Sequence, residues 1–501
     1  MKPVVRSVVF LAATAAALPI VIAAQSDRAT ARAETRLQLA SLLFDDQRYW
    51  EAIPVFGQAK ADATPEQLRQ ASIGLLRSLL QVAEFTQARE ESEFLLAQAP
   101  RDPEVLALHG DALWSVGLFD EAEVAHRDAL AIDPASGGGR NGLAKSLATR
   151  GRLDEALEWA RAALATDDRV PEYHHTLGFI QSRLHDFPAA ADAYERYVDL
   201  LPLAGNSEKG DWARAEVAFL RSFGDRPAMA LAEPGRIHTI PFRLIRDKVI
   251  VRGRVNGRDP IDFVMDTGAE RTVLSQPVAQ DLGIRPIANT LSAGVGEIGM
   301  RGLQAGRLDR LQFGSLDISN LPAIIKSPPL GGLPTPEAEG FSPLSIGLSM
   351  TIDYARHVLI VGEELPDEPA DITLPLWQYR LPVVRGIVND QHHRSFVVDT
   401  GGEVISISRG TASLLPPSTL REVPLRVYGT SGWDEDAYLR PGTDLVFDQL
   451  QYRNYSVVVL NLHRPSALLG FQIGGIVGHS FLSAYRVTMD LKRGVLKLTR
   501  L

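Results

Sequence analysis

The strongest constraint on how this chain can fold is a segment that occurs twice. VRGRVNGRDPIDFVMDTGAERTVLS, from Val251 to Ser275, lies without a gap over VRGIVNDQHHRSFVVDTGGEVISIS, from Val384 to Ser408, at an offset of 133 residues. Val251/Val384, Gly253/Gly386, Asn256/Asn389, Phe263/Phe396, Glu270/Glu403 and Ser275/Ser408 are identical pairs. Each copy sets Asp-Thr-Gly directly after an apolar run that reads as a buried strand, so the duplication delivers one aspartate per copy, Asp266 and Asp399. One such tripeptide alone reads as a turn; two in register read as a paired site. The ends of the copies match as well: VTMDLKRGVLKL, Val487 to Leu498, lies over MTIDYARHVLIV, Met350 to Val361, with Thr351/Thr488, Asp353/Asp490 and Arg356/Arg493 aligned. The two aspartates of that pair read as structural residues of a closing hairpin.

From Arg236 onward, short runs of Val, Ile, Leu, Phe and Thr are broken by Gly, Pro and Asn-Gly, with Asn256-Gly257 a hairpin signal. Two all-β copies are expected, over residues 236–365 and 366–501. Gly294 to Gly299 satisfies the dinucleotide fingerprint G-x-G-x-x-G. That motif needs a helix N-terminus after it, whereas GLQAGRLDRLQFG is Gly-broken and strand-like, so a Gly-rich hairpin is predicted instead. The second copy is also Gly-rich at the matching place, around Gly429 and Gly432.

The first part of the chain is different. Between about residues 31 and 202 it is rich in Ala, Leu, Glu and Arg at helical spacing. Small residues recur at a fixed period: Ala122, Ala156 and Ala190 are 34 apart, as are Gly110, Ala144 and Gly178. Ala88 and Ala52 continue the series upstream, and Pro100, Pro134 and Pro202 close units. This resembles the tetratricopeptide repeat, with about five units. Small residues let paired helices approach, and stacked units form a superhelix with a groove that implies a protein or peptide partner. The adjacent His174 and His175 point to different helix faces and do not suggest a metal site. A linker with some helical character is expected over residues 203–235.

Lys2 and Arg6 precede the apolar stretch Val8 to Ala24, which ends in small residues. Residues 1–24 read as a secretory signal peptide, or as an uncleaved N-terminal anchor, with an exported, periplasmic protein in either case. Lys and Arg number 52 against 61 Asp and Glu, a net charge of −9. No basic excess exists to neutralise phosphates, so nucleic acid is excluded as a main partner. The chain has no cysteine, which removes disulfides, Cys-ligated zinc and thiol nucleophiles. Neither H-E-x-x-H nor G-x-S-x-G occurs. No metal or cofactor is expected.

Asp-Thr-Gly-Ala after a buried strand, a Gly-rich hairpin 25 to 30 residues later, and the closing segment Gly474 to Leu498 resemble the retropepsin-like aspartic proteases. The resemblance implies a bilobal, all-β protease domain in one chain, with Asp266 and Asp399 as its catalytic pair. Thr267 and Thr400 would interlock the two loops, and Gly268 and Gly401 would permit the tight turns. Gly294, Gly296, Gly299, Gly429 and Gly432 would belong to hairpins covering the cleft. Such a pair hydrolyses peptides by sharing one proton, the ionised carboxyl activating water and the protonated one polarising the carbonyl. Two departures stand out. Gly340-Phe341-Ser342-Pro343 replaces the apolar-apolar-Gly turn of the first copy, which implies an altered scaffold there, and Gly402 stands where Ser or Ala is usual. The expected activity is that of an exported aspartic endopeptidase whose repeats recruit substrate or partner. The alternative is a protease-like scaffold that acts only by binding.

Overall fold

The computed structural model describes residues 30–201, 208–291, 294, 303–326, 339–429 and 432–501. The apolar segment before Ala24, the loop 327–338, and Gly296 and Gly299 lie outside the described residues. No described helix is long and apolar enough to cross a membrane. The chain divides into two compact units, one over residues 30–101 and one from residue 102 onward.

In the first unit, α1 (30–45), α2 (Tyr49–Ala59), α3 (Pro65–Gln81) and α4 (Phe85–Gln98) form antiparallel pairs. Thr64 starts α3 through a reciprocal cap: its hydroxyl accepts the Gln67 N–H at 3.3 Å, and the Gln67 amide oxygen accepts the Thr64 N–H at 3.1 Å. Ala52 and Ala88, members of the periodic series, are fully buried.

The second unit begins with α5 (Pro103–Ser115), α6 (Phe119–Ile132), α7 (Gly137–Thr149), α8 (Leu153–Leu164), α9 (Pro171–Arg183) and α10 (Phe187–Leu200). Ala122, Ala156 and Ala190 have no exposed surface, which is why only a small residue serves at those places. The His174 Nε2–H donates to the Asp168 carbonyl at 2.7 Å. His175 instead packs against Tyr194, Tyr197 and Trp212. Within the expected linker the structure places a full helix, α11 (Glu208–Arg221). It packs on α10 because Trp212, Ala213, Phe219 and Leu220 supply a buried apolar face. The linker is thus shorter than its composition suggested.

In the first β lobe, β1 (Ala230–Leu231) and β2 (His238–Pro241) precede a hairpin of β3 (Arg243–Ile245) and β4 (Lys248–Val255). β5 (Ile261–Met265), β6 (Thr272–Ser275) and β7 (Ala288–Asn289) follow. A long hairpin of β8 (Leu303–Phe313) and β9 (Leu316–Lys326) leads to β10 (Glu339–Phe341), and β11 (Ser349–Asp353) with β12 (Val358–Gly362) closes the lobe. The second lobe repeats this plan with β13 (Ile372–Pro375), β14 (Trp377–Tyr379), β15 (Leu381–Val388), β16 (His392–Val398), β17 (Ser406–Ser408) and β18 (Val423–Pro424). It ends with β19 (Val427–Gly429), β20 (Gly432–Asp434), β21 (Tyr438–Phe447), β22 (Leu450–Leu460), β23 (Gly475–Val477), β24 (Tyr485–Asp490) and β25 (Val495–Arg500).

The two lobe sheets have matching orders, β9-β6-β10-β5-β4-β8 and β22-β17-β23-β16-β15-β21. In each, a short late strand runs parallel to the aspartate strand and antiparallel to the next, β10 between β5 and β6 and β23 between β16 and β17. Fully buried phenylalanines fill both cores: Phe263, Phe313 and Phe341 in one, Phe396, Phe447 and Phe481 in the other. A third sheet, β13-β25-β24-β11-β12-β2, takes strands from both lobes. Thr351 and Thr488 face each other at its centre, their hydroxyls 2.8 Å apart. Asp353 and Asp490 each accept the N–H of an arginine three residues on, at 2.9 Å, and so shape the closing hairpins.

Candidate active site

Each aspartate stands one residue past a buried strand and is held by the strand beside it. The Asp266 N–H donates to the Phe341 carbonyl at 2.9 Å, and the Asp399 N–H to the Val477 carbonyl at 3.0 Å. The lobes meet at the next residue. The Thr267 N–H donates to the Thr400 hydroxyl at 3.1 Å, and the Thr400 N–H to the Thr267 hydroxyl at 3.0 Å. Each hydroxyl passes its own proton onward, Thr267 to the Val398 carbonyl at 2.6 Å and Thr400 to the Met265 carbonyl at 2.7 Å. Both threonines are fully buried, so every polar group in this knot is satisfied inside the protein.

The glycines set how closely the loops cross. A Cβ on Gly268 would stand 2.5 Å from the Asp399 Cγ, and one on Gly401 would stand 2.6 Å from the Asp266 Cγ. Each loop's glycine therefore lies against the other loop's carboxyl, and a side chain at either position would push the aspartates apart.

Removal from water raises the Asp266 pKa from 3.8 to about 8, with the Asp399 charge and hydrogen bonding to that carboxylate adding to the effect; Lys326 and the Gly268 N–H oppose it. Asp399 has more donors, since its Oδ1 accepts the N–H groups of Gly401 at 2.8 Å and Gly402 at 2.9 Å. Gly402 also has a steric reason. A Cβ there would come within 3.0 Å of the Asp399 Oδ2.

The altered turn of the first lobe keeps the strand and loses part of its support. In the second lobe Gly478 lets the chain pass so closely that a Cβ would lie 2.7 Å from the Val404 carbonyl oxygen. The N–H groups of His479 and Ser480 then bind the carbonyls of Gly402 and Glu403 at 2.8 and 3.0 Å. In the first lobe Ser342 and Pro343 take the places of Gly478 and His479, and Pro343 has no N–H to give. The bond from Asp266 to β10 survives nonetheless.

Charged groups from the opposite lobe flank the paired loops. Lys248, at the start of β4, donates to the Gly401 carbonyl and stands 3.8 Å from the Glu403 carboxylate. Arg380, in the matching turn between β14 and β15, holds Glu270 at 2.5 Å. Glu270 and Glu403 were visible as an identical pair, but their partners were not, because Lys248 and Arg380 sit one register step apart in the two copies. Of the cleft hairpins expected, Gly429 and Gly432 pair across the β19–β20 hairpin. Gly294 is in no helix or strand, and β8 follows the G-x-G-x-x-G stretch as a strand, not a helix. Among the described residues no three His, Cys, Asp or Glu side chains converge to hold a metal.

The turn from β14 to β15 also joins the lobes to the helices. Tyr379 packs edge-on against Trp114 of α5 and against Phe179 of α9. Arg183 of α9 donates to the Gln378 carbonyl at 2.9 Å, and Trp212 of α11 lies 4.6 Å beneath the Arg380 guanidinium. The first helices of successive pairs thus share one face, and that face holds this turn.

A sequence profile described as aspartyl protease matches residues 251–341, and one described as tetratricopeptide repeat matches residues 113–178. Fold and site together define an aspartyl-protease domain preceded by tetratricopeptide repeats, in accord with the retropepsin-like resemblance. Among solved structures, a thermophilic TPR protein from Thermus thermophilus is 21% identical, over 34% of this chain and 92% of its own, with a TM-score of 0.30. YrrB, a TPR protein with an unusual peptide-binding site, is 17% identical over 34% of this chain and 86% of its own, with a TM-score of 0.23. PilF of Pseudomonas aeruginosa is 18% identical over 40% of this chain and 87% of its own, with a TM-score of 0.28. No curated protein matches the chain.

Proposed function

We propose that this protein is an exported aspartic endopeptidase whose catalytic groups are Asp266 and Asp399. The observation that carries the reading is the meeting of these two carboxyls at the loop crossing, each against the other loop's glycine, with the Asp266 pKa raised enough to hold a proton through neutral pH. Asp399, with two backbone N–H donors on one oxygen, is the better home for the negative charge. In the proposed cycle a water between the carboxyls gives a proton to Asp399 while its oxygen attacks the peptide carbon. Asp266 donates its proton to the carbonyl oxygen. Asp399 then gives its proton to the leaving nitrogen, the C–N bond breaks as a hydroxyl of the diol returns its proton to Asp266, and the singly protonated pair is restored. Protonation belongs to the pair as a whole, so the two roles exchange over a turnover.

Extended peptide is the proposed substrate form, since β strands flank the site and the β19–β20 hairpin is proposed to cover it. The repeats from residue 102 already hold the β14–β15 turn. Recruitment of a protein partner is therefore assigned to the repeats over residues 30–101, where Leu39, Leu42 and Trp50 are exposed. The test is peptide-library cleavage across pH 3 to 8 with either aspartate replaced by Asn, the residual activity of each variant being the deciding quantity.

A further inference from the structure

A cavity of about 580 Å³ lies between α9–α11 and the first lobe, well inside the ~300–1,000 Å³ range of small-molecule sites. Most of its wall is apolar, with Phe179, Trp212, Phe219, Leu344 and Ile346 among the lining residues. Most of its charged groups are paired within the protein. Arg271 is held by Glu216 at 2.5 Å, Arg380 by Glu270 at 2.5 Å, and Lys492 by Glu364 at 2.5 Å. The exposed Glu363 carboxylate accepts the Gly235 N–H at 2.5 Å.

Arg183 is different. Its Nη1 donates to two backbone carbonyls, Ala148 at 2.7 Å and Gln378 at 2.9 Å, and among the described residues no carboxylate pairs with it. Burial pushes its guanidinium down to about 10, so it remains charged at neutral pH. A second polar group is also left over. The Gln378 side chain is only 6% exposed, lines the same cavity, and its Oε1 has no hydrogen-bond partner. Its Nε2 donates to the Arg380 carbonyl at 3.5 Å, so the orphaned Oε1 is open only to a donor.

A half-buried cation without a counter-charge costs free energy that an incoming anion recovers, and apolar walls favour an apolar body. We propose that this cavity binds a small amphiphilic anion, an apolar chain or ring whose carboxylate or phosphate head sits on Arg183. The proposal is independent of the protease reading, because occupancy is measured directly and needs no turnover.

Isothermal titration of the full chain with decanoate, decyl phosphate and decanol tests it. At least one anion binds with one site per chain, about tenfold or more tighter than decanol, and the tighter of the two identifies the head group. Arg183→Gln weakens the anion by about tenfold or more and leaves decanol unchanged, while Arg183→Lys stays within about threefold of wild type. Equal affinity for anion and alcohol overturns the proposal. So does an Arg183→Gln protein that keeps full anion affinity, or a wild type that binds neither anion. If Arg183→Gln does not fold, the anion–alcohol comparison in wild type decides alone.

Discussion

Thr267 and Thr400 exchange backbone-to-hydroxyl hydrogen bonds of 3.1 and 3.0 Å across the junction of the two lobes, and each sends its hydroxyl proton to a carbonyl of the opposite aspartate strand. The distance between the aspartates is thereby fixed by groups that do no chemistry. Replacing either threonine by Ala orphans a buried N–H and a buried carbonyl, at about 1–3 kcal/mol for each group. Thr→Ser retains the hydroxyl and should restore most of that loss. Urea unfolding of the Ala and Ser variants measures both effects.

Gly268→Ala separates the site from the fold. Its Cβ would meet the Asp399 carboxyl at 2.5 Å, so the pair must spread while the rest of each lobe stays packed. The expected outcome is a loss on the order of a hundredfold in kcat/KM. The melting temperature should change far less than in Thr267→Ala. Steady-state kinetics beside calorimetry gives both numbers.

The raised Asp266 pKa predicts an unusual pH dependence of stability. Between the ordinary value of 3.8 and about 8 the folded chain keeps a proton that the unfolded chain has released. Stability therefore falls as pH rises through that window, with a contribution from this group of up to about 1.4 kcal/mol per pH unit. Asp266→Asn removes the dependence and should gain on wild type at each step up in pH. Parallel urea melts from pH 4 to 8 show whether the two curves diverge in that direction.

Arg380 and Glu270 form a buried ion pair that ties the turn held by the helices to the residues just after Asp266. Losing one partner leaves a buried charge and should cost about 3–5 kcal/mol, as in Arg380→Met. The double variant Arg380→Met, Glu270→Leu should recover much of that cost. A double-mutant cycle by denaturant unfolding gives the coupling energy, and a value near zero would contradict a structural role for the pair.

The β half was largely legible because its signal is local: an apolar run before Asp266 recurs before Asp399, and matching residues such as Thr351 and Thr488 end up side by side. The alanine period marked the helix crossings for the same reason, since a buried crossing tolerates only a small side chain. Contacts between distant elements leave no such mark. Nothing periodic joins Tyr379 to Trp114 and Phe179, so the seating of the β14–β15 turn among the helices could not be read. α11 was underestimated because Gly and Pro flank it, although Trp212 and Phe219 carry its buried face. The altered first-lobe turn keeps the aspartate strand in place: Pro343 has no N–H to give where His479 donates, yet the Phe341 carbonyl still holds Asp266.

The most direct measurement of the central claim is cleavage of a peptide library by wild type, Asp266→Asn and Asp399→Asn across pH 3 to 10, with circular dichroism confirming that all three fold. Cleavage by wild type that declines above about pH 8, as Asp266 loses its proton, and is absent from both variants is the predicted result. Full cleavage by either folded variant would contradict a shared pair of aspartates.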